Sequence, residues 1–352
     1  MSAAATPPGL VPTPVAETEA EAELESAPIF QRFMERIGAL WTLGVLGALV
    51  VAFGIAAPTL YTKAAWLATS SFAVEYLILA IGQTYVIVTA GIDLADGATL
   101  GFSAMAGSLI MANMLGAHSS GGLAAFAGVL VMLATGTGIG LVNGIIITRG
   151  KLPPFIVTLG TLTAVAGATD LLNNGTEITN IPGFVTSLGT ASVFSGWLPV
   201  PVLIALALAV IFGLMLTRTR FGLRTYAIGS NEIAARRAGI HVDSHLVRVY
   251  MISGFLAGVA GLLVTANFSA ASPIAGANDE LYAIAAVVIG GASIFGGRGT
   301  MFGTVIGTGI IAVLTTGLVL ANVQPFWQQV AIGAVVIGAV AVDRVRTRAG
   351  TD

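Results

Sequence analysis

Ten long apolar runs follow one another along this chain, separated by short polar segments. Hydrophobic residues make up 56% of the 352 residues, and charged residues make up only 9%. Most of the runs are long enough to cross a hydrocarbon layer of about 30 Å as an α-helix. A water-soluble domain with so much apolar surface would aggregate. We therefore predict an all-α, polytopic membrane protein with about ten transmembrane helices. The predicted spans are residues 37–57, 66–90, 97–116, 122–148, 155–172, 198–217, 248–268, 281–296, 299–320 and 325–343.

The basic residues predict the orientation of these spans. With ten spans and a cytoplasmic N-terminus, fourteen of the fifteen Lys and Arg residues lie on the cytoplasmic side, and only Lys63 lies outside. Cytoplasmic loops of membrane proteins carry such an excess of positive charge. We therefore expect both termini, and the charged segment 218–248, on the cytoplasmic side.

The N-terminal residues differ from the rest of the chain in composition. Residues 1–30 are rich in Ala, Pro and Glu, which is typical of a disordered acidic tail. They lack the basic start of a cleavable signal peptide. We predict a cytoplasmic tail over residues 1–30, a transmembrane domain over 31–345 and a second cytoplasmic tail over 346–352.

Residues 218–248 form a charged interruption between two apolar runs and hold six of the Lys and Arg residues. The stretch from Ser230 to Ile240 begins with capping side chains, has an acid in its first turn and bases in its last, and ends near a Gly. This pattern predicts a short capped helix. Glu232 and Arg236 have the i, i+4 spacing of a favourable ion pair. A polar helix between two spans has no soluble domain to pack on, so we expect it to contact another protein at the membrane surface.

Glycine is frequent in the apolar runs. The patterns Gly136-x-Gly138-x-Gly140 and Gly254-x-x-x-Gly258 place small residues on one face of a helix. Such faces let helix backbones approach closely. The patterns indicate either tight structural packing or surfaces that slide in a transporter, and both interpretations fit the sequence.

Few polar side chains lie inside the predicted spans. An acid near the centre of a span costs about 2.5–3.5 kcal/mol on insertion, so Glu75 is a candidate for the lining of a path for a polar solute. The alternative is a satisfied contact between helices or a side chain at a span end that snorkels to the interface, and for Asp170 this alternative is favoured. No carboxylate cluster for ion coupling is evident, which favours an uncharged, hydroxyl-rich solute. The candidate path residues are Glu75, Gln83, Asp93, Asn143 and Asn267.

The sequence shows few of the residue patterns that an enzyme's active site requires. It has no Cys, and Lys151 lacks the glycine spacing and the following Ser or Thr of a phosphate-binding loop. His241 and His245 have an i, i+4 spacing that suits a metal, but no third ligand is near except Asp243 on another helical face, so we expect solvated histidines. We predict no catalytic residue, no cofactor, no metal and no nucleic-acid partner.

Four ordered motifs carry a resemblance to a known family. They look like the permeases of the ribose/xylose branch of ABC importers, and the match runs from about residue 83 to residue 343. Asp96 departs from the usual uncharged residue of the first motif, and residues 165–169 lack an Arg often present there, which affects the expected substrate more than the fold. The motifs are Gly91–Leu94, then 140–144 with 153–161, then Asn231–Ile240, and then 283–299 with Phe326–Gln329.

The resemblance implies the partners and the location of the protein. It implies a type II importer-like permease in a bacterial plasma (inner) membrane, where membrane lipid surrounds the protein. A second permease copy, as a homodimer, would complete the pore, a separate cytoplasmic ATPase subunit would hydrolyse ATP, and an extracytoplasmic binding protein would deliver a small sugar. Ribose or another pentose is the default substrate, with a polyol, a hexose, inositol or an autoinducer-2-like furanose as alternatives.

By position, the resemblance also implies that residues 229–240 are the coupling helix that contacts the ATPase. The polar outer loop 173–197 is the expected docking surface of the binding protein, or else a solvated loop. Two other classes remain as alternatives: a self-sufficient secondary transporter or channel, and a membrane scaffold or receptor. The implied coupling residues are Ser230, Asn231, Glu232, Ala235, Arg236, Arg237 and Gly239.

Overall fold

A computed structural model describes residues 42–349 of the chain, which are almost entirely helical. A short 3-10 helix, Pro58–Tyr61, follows the first helix, and one two-stranded antiparallel hairpin pairs β1 (Ser192–Val193) with β2 (Leu198–Pro199). The predicted tail of residues 1–30 lies outside the described residues. The helices are α1 (described over Thr42–Ala56), α2 (Lys63–Val88), α3 (Asp96–Gly116), α4 (Gly121–Gly150), α5 (Pro154–Leu172), α6 (Gly183–Thr190), α7 (Val200–Arg218), α8 (Arg220–Ser230), α9 (Glu232–Arg237), α10 (Val242–Phe268), α11 (Asp279–Ile289), α12 (Met301–Leu320) and α13 (Pro325–Ala349).

The helix starts follow ordinary capping chemistry. The hydroxyl oxygens of Thr62, Ser120 and Thr300 accept N–H groups from the first turns of α2, α4 and α12. Proline occupies the first turn of α5 and α7, where its missing N–H costs nothing. The polar residues between the apolar runs therefore determine where the spans begin.

Seven of the described helices, α2, α3, α4, α5, α7, α10 and α12, are long and apolar enough to cross a membrane. Their positions agree with the predicted spans to within a few residues, except that α10 begins six residues before the predicted start at 248. The polytopic all-α fold is thus confirmed. The predicted number of ten spans is not, since α1 extends over only fifteen described residues.

The predicted eighth span, residues 281–296, is shorter than expected. Helix α11 has eleven residues, Asp279–Ile289, and is therefore about 16 Å long, half the thickness of a hydrocarbon layer. After it the backbone turns through residues with positive φ at Gly291, Gly296 and Gly297. The apolar run continues across this turn, so composition alone conceals the end of the helix.

Helices α3 and α11 both begin inside the bundle. The Ser253 hydroxyl, about 16 Å along α10, donates to Asp93 just before α3 starts. A Cβ added at Gly97 would overlap the Gly276 carbonyl oxygen just before α11 starts. Residues 89–95 thus place non-helical backbone within the bundle, which a membrane protein tolerates only where other protein groups surround that backbone, and the segment 269–278 before α11 is buried at Ala271 and Gly276.

Helix α10 packs against α2, α3 and α4 at the centre of the fold. Its contact with α4 is a contact between backbones, because a Cβ added at Gly136 would overlap the Gly254 carbonyl oxygen and one at Gly140 would overlap the Tyr250 carbonyl oxygen. Gly138, on another face of α4, has open space around it. The structure supports the packing interpretation of the glycine patterns.

We expect Gly140→Ala and Gly138→Ala to change stability in opposite directions. At Gly140 the methyl group forces α4 away from α10, and overpacking of this kind costs about 1–3 kcal/mol. At Gly138 the methyl group meets nothing, and Ala is favoured over Gly in a helix by up to about 1 kcal/mol. The thermal unfolding midpoint of each purified variant in detergent measures the difference. Equal midpoints would contradict the close approach of α4 to α10.

Candidate translocation and coupling sites

A cavity of about 480 Å³ lies between α2, α7, α10 and the segment that contains α6 and the hairpin. Its volume is within the range of about 300–1,000 Å³ that is usual for small-molecule sites. Most of its wall is apolar, and a few polar side chains project into it. We call it the outer cavity, and its polar lining residues are Ser70, Ser71, Glu75, Thr190, Ser192 and Asn267.

Glu75 connects the outer cavity to a polar cluster beneath it. Its carboxyl group is within hydrogen-bonding reach of the Asp279 carboxyl group, on the first residue of α11. The rings of Tyr76 and Tyr282 lie beside this pair with their centroids 4.9 Å apart. An acid on α2 that lines the outer cavity and an acid at the start of α11 thus lie close together.

The expectation that the chain has no carboxylate cluster is wrong. Besides the Glu75–Asp279 pair, Asp96 lies close enough to Asp93 and Glu280 to interact with them electrostatically. Neither carboxyl oxygen of Asp96 has a hydrogen-bond partner in the described part of the chain, and the side chain is 1% exposed. These acids come from segments two hundred residues apart in the sequence. None of the described His, Asp and Glu residues form a group able to hold a metal ion.

Three of the five candidate path residues are engaged in internal contacts and do not line the outer cavity. With its amide nitrogen toward the Asp93 carbonyl oxygen, Gln83 donates to that oxygen and accepts from the Asp93 N–H, both at 3.3 Å. The Asp93 carboxylate accepts from the Ala95 N–H at 3.0 Å as well as from Ser253. Asn143 accepts a 2.6 Å hydrogen bond from Thr161. The other two candidate path residues, Glu75 and Asn267, both line the outer cavity.

The predicted coupling helix is divided into two helices. The last turns of α8 include Gly229 and Ser230, and α9 begins at Glu232 after Asn231, whose side-chain oxygen accepts the Ala234 N–H at 2.9 Å. The predicted helix over 229–240 is therefore wrong in extent but right in its cap. The chain breaks there because Asn231 is extended, with φ −162° and ψ 100°.

The charges on α9 are arranged as the sequence indicates. Arg236 pairs with Glu232 at 2.8 Å, and it also pairs with Asp243 on α10. The hydrogen bonds that Arg236 donates to the Asp243 and Glu232 carboxylates raise the pKa of Arg236. Ala235 is buried against Ile228 and Val242. The rest of α9, including Arg237, is exposed, and Gly239 follows the helix at φ +80°.

Helix α8 is fastened to the end of α2. A Cβ added at Gly229 would overlap the Val88 carbonyl oxygen, which also accepts the Gly297 N–H at 2.9 Å. The Tyr226 hydroxyl donates to the Gly299 carbonyl oxygen at 2.6 Å. These contacts join the α8–α9 segment to α2 and to the turn before α12. An inner cavity of about 880 Å³ lies beside them, and its lining includes Ser230, Asn231, Glu232 and Arg236.

The two histidines do not form a metal pair. His245 is 4% exposed, and its Nε2 pairs with the Thr225 hydroxyl at 2.9 Å, whereas His241 is exposed. The expectation of two solvated histidines is thus wrong for His245, which packs its ring on Phe221 with centroids 4.3 Å apart.

The loop at the opposite end of the bundle has more structure than its polar composition indicates. Helix α6 and the hairpin lie within residues 173–199, and Lys63 donates to the Ser195 carbonyl oxygen at 2.9 Å. Trp66 donates to the Trp197 carbonyl oxygen at 2.6 Å. These bonds hold the hairpin on the start of α2, while Phe184 and Phe194 are 73% and 77% exposed.

A bundle of membrane-length apolar helices, with a mostly apolar cavity that has a few polar groups and a capped polar helix at its other end, has the features expected of a transport permease. The family model described as "Branched-chain amino acid transport system / permease component" matches residues 66–340. The chain belongs to this family.

Known relatives of the chain are sugar permeases. It is 41% identical over 273 residues to the ribose import permease protein RbsC of Bacillus subtilis, covering 77% of this chain and 81% of that protein. It is 35% identical over 322 residues to the D-allose transport system permease protein AlsC of Escherichia coli, covering 90% and 94%. It is 35% identical over 279 residues to the galactose/methyl galactoside import permease protein MglC of Salmonella typhimurium, covering 77% and 83%. No solved structure matches the chain significantly.

We expect two neighbouring buried acids to respond oppositely to substitution. Asp96→Asn removes a buried acid that has no hydrogen-bond partner and lies near other acids, so the thermal unfolding midpoint at neutral pH should rise. Asp93→Ala leaves the Ala95 N–H and the Ser253 hydroxyl without their acceptor, which should lower stability by about 1–3 kcal/mol. The midpoints of both variants in detergent test this. A fall of the midpoint for Asp96→Asn would show that Asp96 has a stabilising role.

Proposed function

We propose that this chain is the permease subunit of an ABC importer for ribose or a similar small sugar or polyol. The observation that carries the proposal is the physical connection between two sites through one helix. Glu75 on α2 lines the outer cavity, and the last residue of the same helix, Val88, is fastened to α8, directly before the capped helix α9. A movement imposed on α9 is thereby transmitted to the cavity wall.

The side chains of the outer cavity suit a sugar. A sugar hydroxyl both donates and accepts, and the cavity offers Ser, Thr and Asn side chains together with the Glu75 carboxyl group. Apolar walls with a few placed polar groups orient a small ligand and release it readily when the walls move. The named substrates of the relatives, ribose, allose and galactose, support a monosaccharide.

Coupling to an ATPase follows from the exposed charges of α9. The helix presents Glu232, Arg236 and Arg237 outward while Ala235 fixes it to the bundle. ATP-driven closure of a separate ATPase pair would displace α9 and α8, and the rigid helices would alternately open the outer and the inner cavity. This chain performs no hydrolysis itself in such a mechanism.

The remaining partners complete this arrangement. Both termini and α9 lie in the cytoplasm, in agreement with the distribution of Lys and Arg, so the outer cavity faces an extracytoplasmic binding protein. The exposed aromatic residues Phe184 and Phe194 beside the cavity suit docking of that protein. A second copy of the chain forms the other half of the pore in a bacterial inner membrane.

Affinity purification of the tagged chain from native membranes in mild detergent tests this proposal against a self-sufficient secondary transporter. Recovery of a stoichiometric ATPase would support the importer. Recovery of the chain alone, with sugar flux in vesicles free of ATP, would favour the secondary transporter instead.

We expect Glu232→Arg to uncouple transport without unfolding the protein. The exposed ion pair with Arg236 contributes only about 0.3–0.5 kcal/mol to stability, whereas a reversed charge at an interface weakens it by tenfold or more, about 1.4 kcal/mol. Sugar uptake and ATPase recovery should therefore fall at least about tenfold. Asp243→Asn is the control, because it removes the other carboxylate of Arg236 and leaves α9 unchanged. Normal uptake in Glu232→Arg would show that α9 is not the coupling helix.

We expect Glu75→Gln to reduce sugar uptake because it replaces a carboxyl group that lines the outer cavity, an acceptor for sugar hydroxyls, by an amide. Loss of one hydrogen bond to a charged group corresponds to about a tenfold change. Asp170→Asn makes the same acid-to-amide change on an exposed side chain that does not line the outer cavity, and uptake should be unaffected. Counting labelled sugar in cells that express each variant measures this. Equal uptake in both would remove Glu75 from the path.

A further inference from the structure

A third, small cavity lies where α8 meets the start of α10. Its volume is about 290 Å³. Two arginines and two histidines line it, and no carboxylate is among its lining residues. We call it the basic cavity, and it is lined by Arg224, Ile240, His241, Ser244, His245 and Arg248.

The nearby carboxylates leave the charge of this cavity uncompensated. Glu232 and Asp243 both pair with Arg236. In the part of the chain that the structure describes, Arg224 and Arg248 form no ion pair. Two guanidinium groups thus face one cavity without a counter-charge.

The two arginines are exposed side chains that line the same cavity, one from α8 and one from α10. The His245 imidazole lies in the same wall and is held by its pairing with Thr225 and its stacking on Phe221. An arginine pair that surrounded only water would gain nothing from this placement, since like charges repel. The placement is favourable when an anion lies between the two arginines.

The start of α10 supplies the other groups that bind an anion. This helix has 27 residues, and its N-cap, His241, provides no side-chain acceptor for the first-turn N–H groups. An uncapped helix start carries partial positive charge, although in α10 the Val242 N–H already donates to the Ile240 carbonyl oxygen and Asp243 places an acid in the first turn. The Ser244 hydroxyl lines the cavity from the same turn. Arginine forks, a hydroxyl and free backbone N–H groups are the donors that hold phosphate groups.

We propose that the basic cavity binds a phosphate group, held by Arg224, Arg248 and the first turn of α10. The phosphate belongs either to a phospholipid headgroup or to a soluble phosphate compound. Helices that span a membrane end near the headgroups, and α10 is long and apolar enough to span one, so a lipid phosphate is the source that we favour. The site is independent of the proposed transport function and needs no sugar or ATPase.

Titration of the delipidated protein in detergent tests this site with three probes: phosphatidylglycerol, diacylglycerol with the same acyl chains, and inorganic phosphate. Native mass spectrometry counts the bound lipid, and the thermal unfolding midpoint reports the binding of phosphate. Arg224→Gln and Arg248→Gln each remove one charged donor and should weaken binding about tenfold. Arg220→Gln is the matched control, an exposed arginine of the same helix that does not line the cavity, and it should bind like wild type.

The outcomes separate the two sources. A lipid site is identified if phosphatidylglycerol binds more tightly than diacylglycerol and if this binding is weakened by Arg224→Gln and Arg248→Gln but not by Arg220→Gln. The same dependence for inorganic phosphate identifies a site for soluble phosphate. The proposal is overturned if neither probe binds wild type, if the two cavity variants bind as wild type does, or if Arg220→Gln weakens binding equally, since general surface charge would then explain it. Size-exclusion chromatography confirms that each variant is folded.

Discussion

The close approach of backbones to α10 is the contact on which the rest of the structure depends. In a membrane, helices gain little from hiding apolar side chains, so van der Waals contact between small residues provides much of the attraction. Glycines of α2, α4 and α6 bring their main chains close to α10, and a glycine of α10 does the same toward α3. The glycines concerned are Gly82, Gly261, Gly140 and Gly189, where an added Cβ would meet backbone atoms of the neighbouring element.

This packing permits polar backbone inside the bundle. The non-helical residues before α3 need partners for their N–H and C=O groups, and Gln83 and the Asp93 carboxylate supply them. Ser253 on α10 fixes the same carboxylate. Asp96, one turn later, has no such support. The two acids differ in their hydrogen bonds although both are buried.

The sequence predicted those features that local chemistry determines. Apolar run length located the spans, and the residues around Asn231 predicted a capped helix with an internal ion pair. The sequence did not predict contacts between segments that are distant along the chain. Glu75 and Asp279 are two hundred residues apart, so their pairing leaves no local pattern, and the end of α11 depends on backbone turns inside an apolar run. Polarity alone could not separate Asn267, in the outer cavity, from Asn143, which is bonded to Thr161.

Helix α2 connects the two ends of the molecule. Its first residue, Lys63, holds the hairpin beside the outer cavity, and its last residue, Val88, is held against α8. The helix has 26 residues and is about 39 Å long, and most of it is buried, so bending it would disturb contacts along its whole length. A displacement at α8 therefore moves α2 as a unit and reaches the hairpin and Glu75 together. A binding protein seated on the hairpin and an ATPase seated on α9 would each affect the other through this one helix, and such coupling acts equally in both directions.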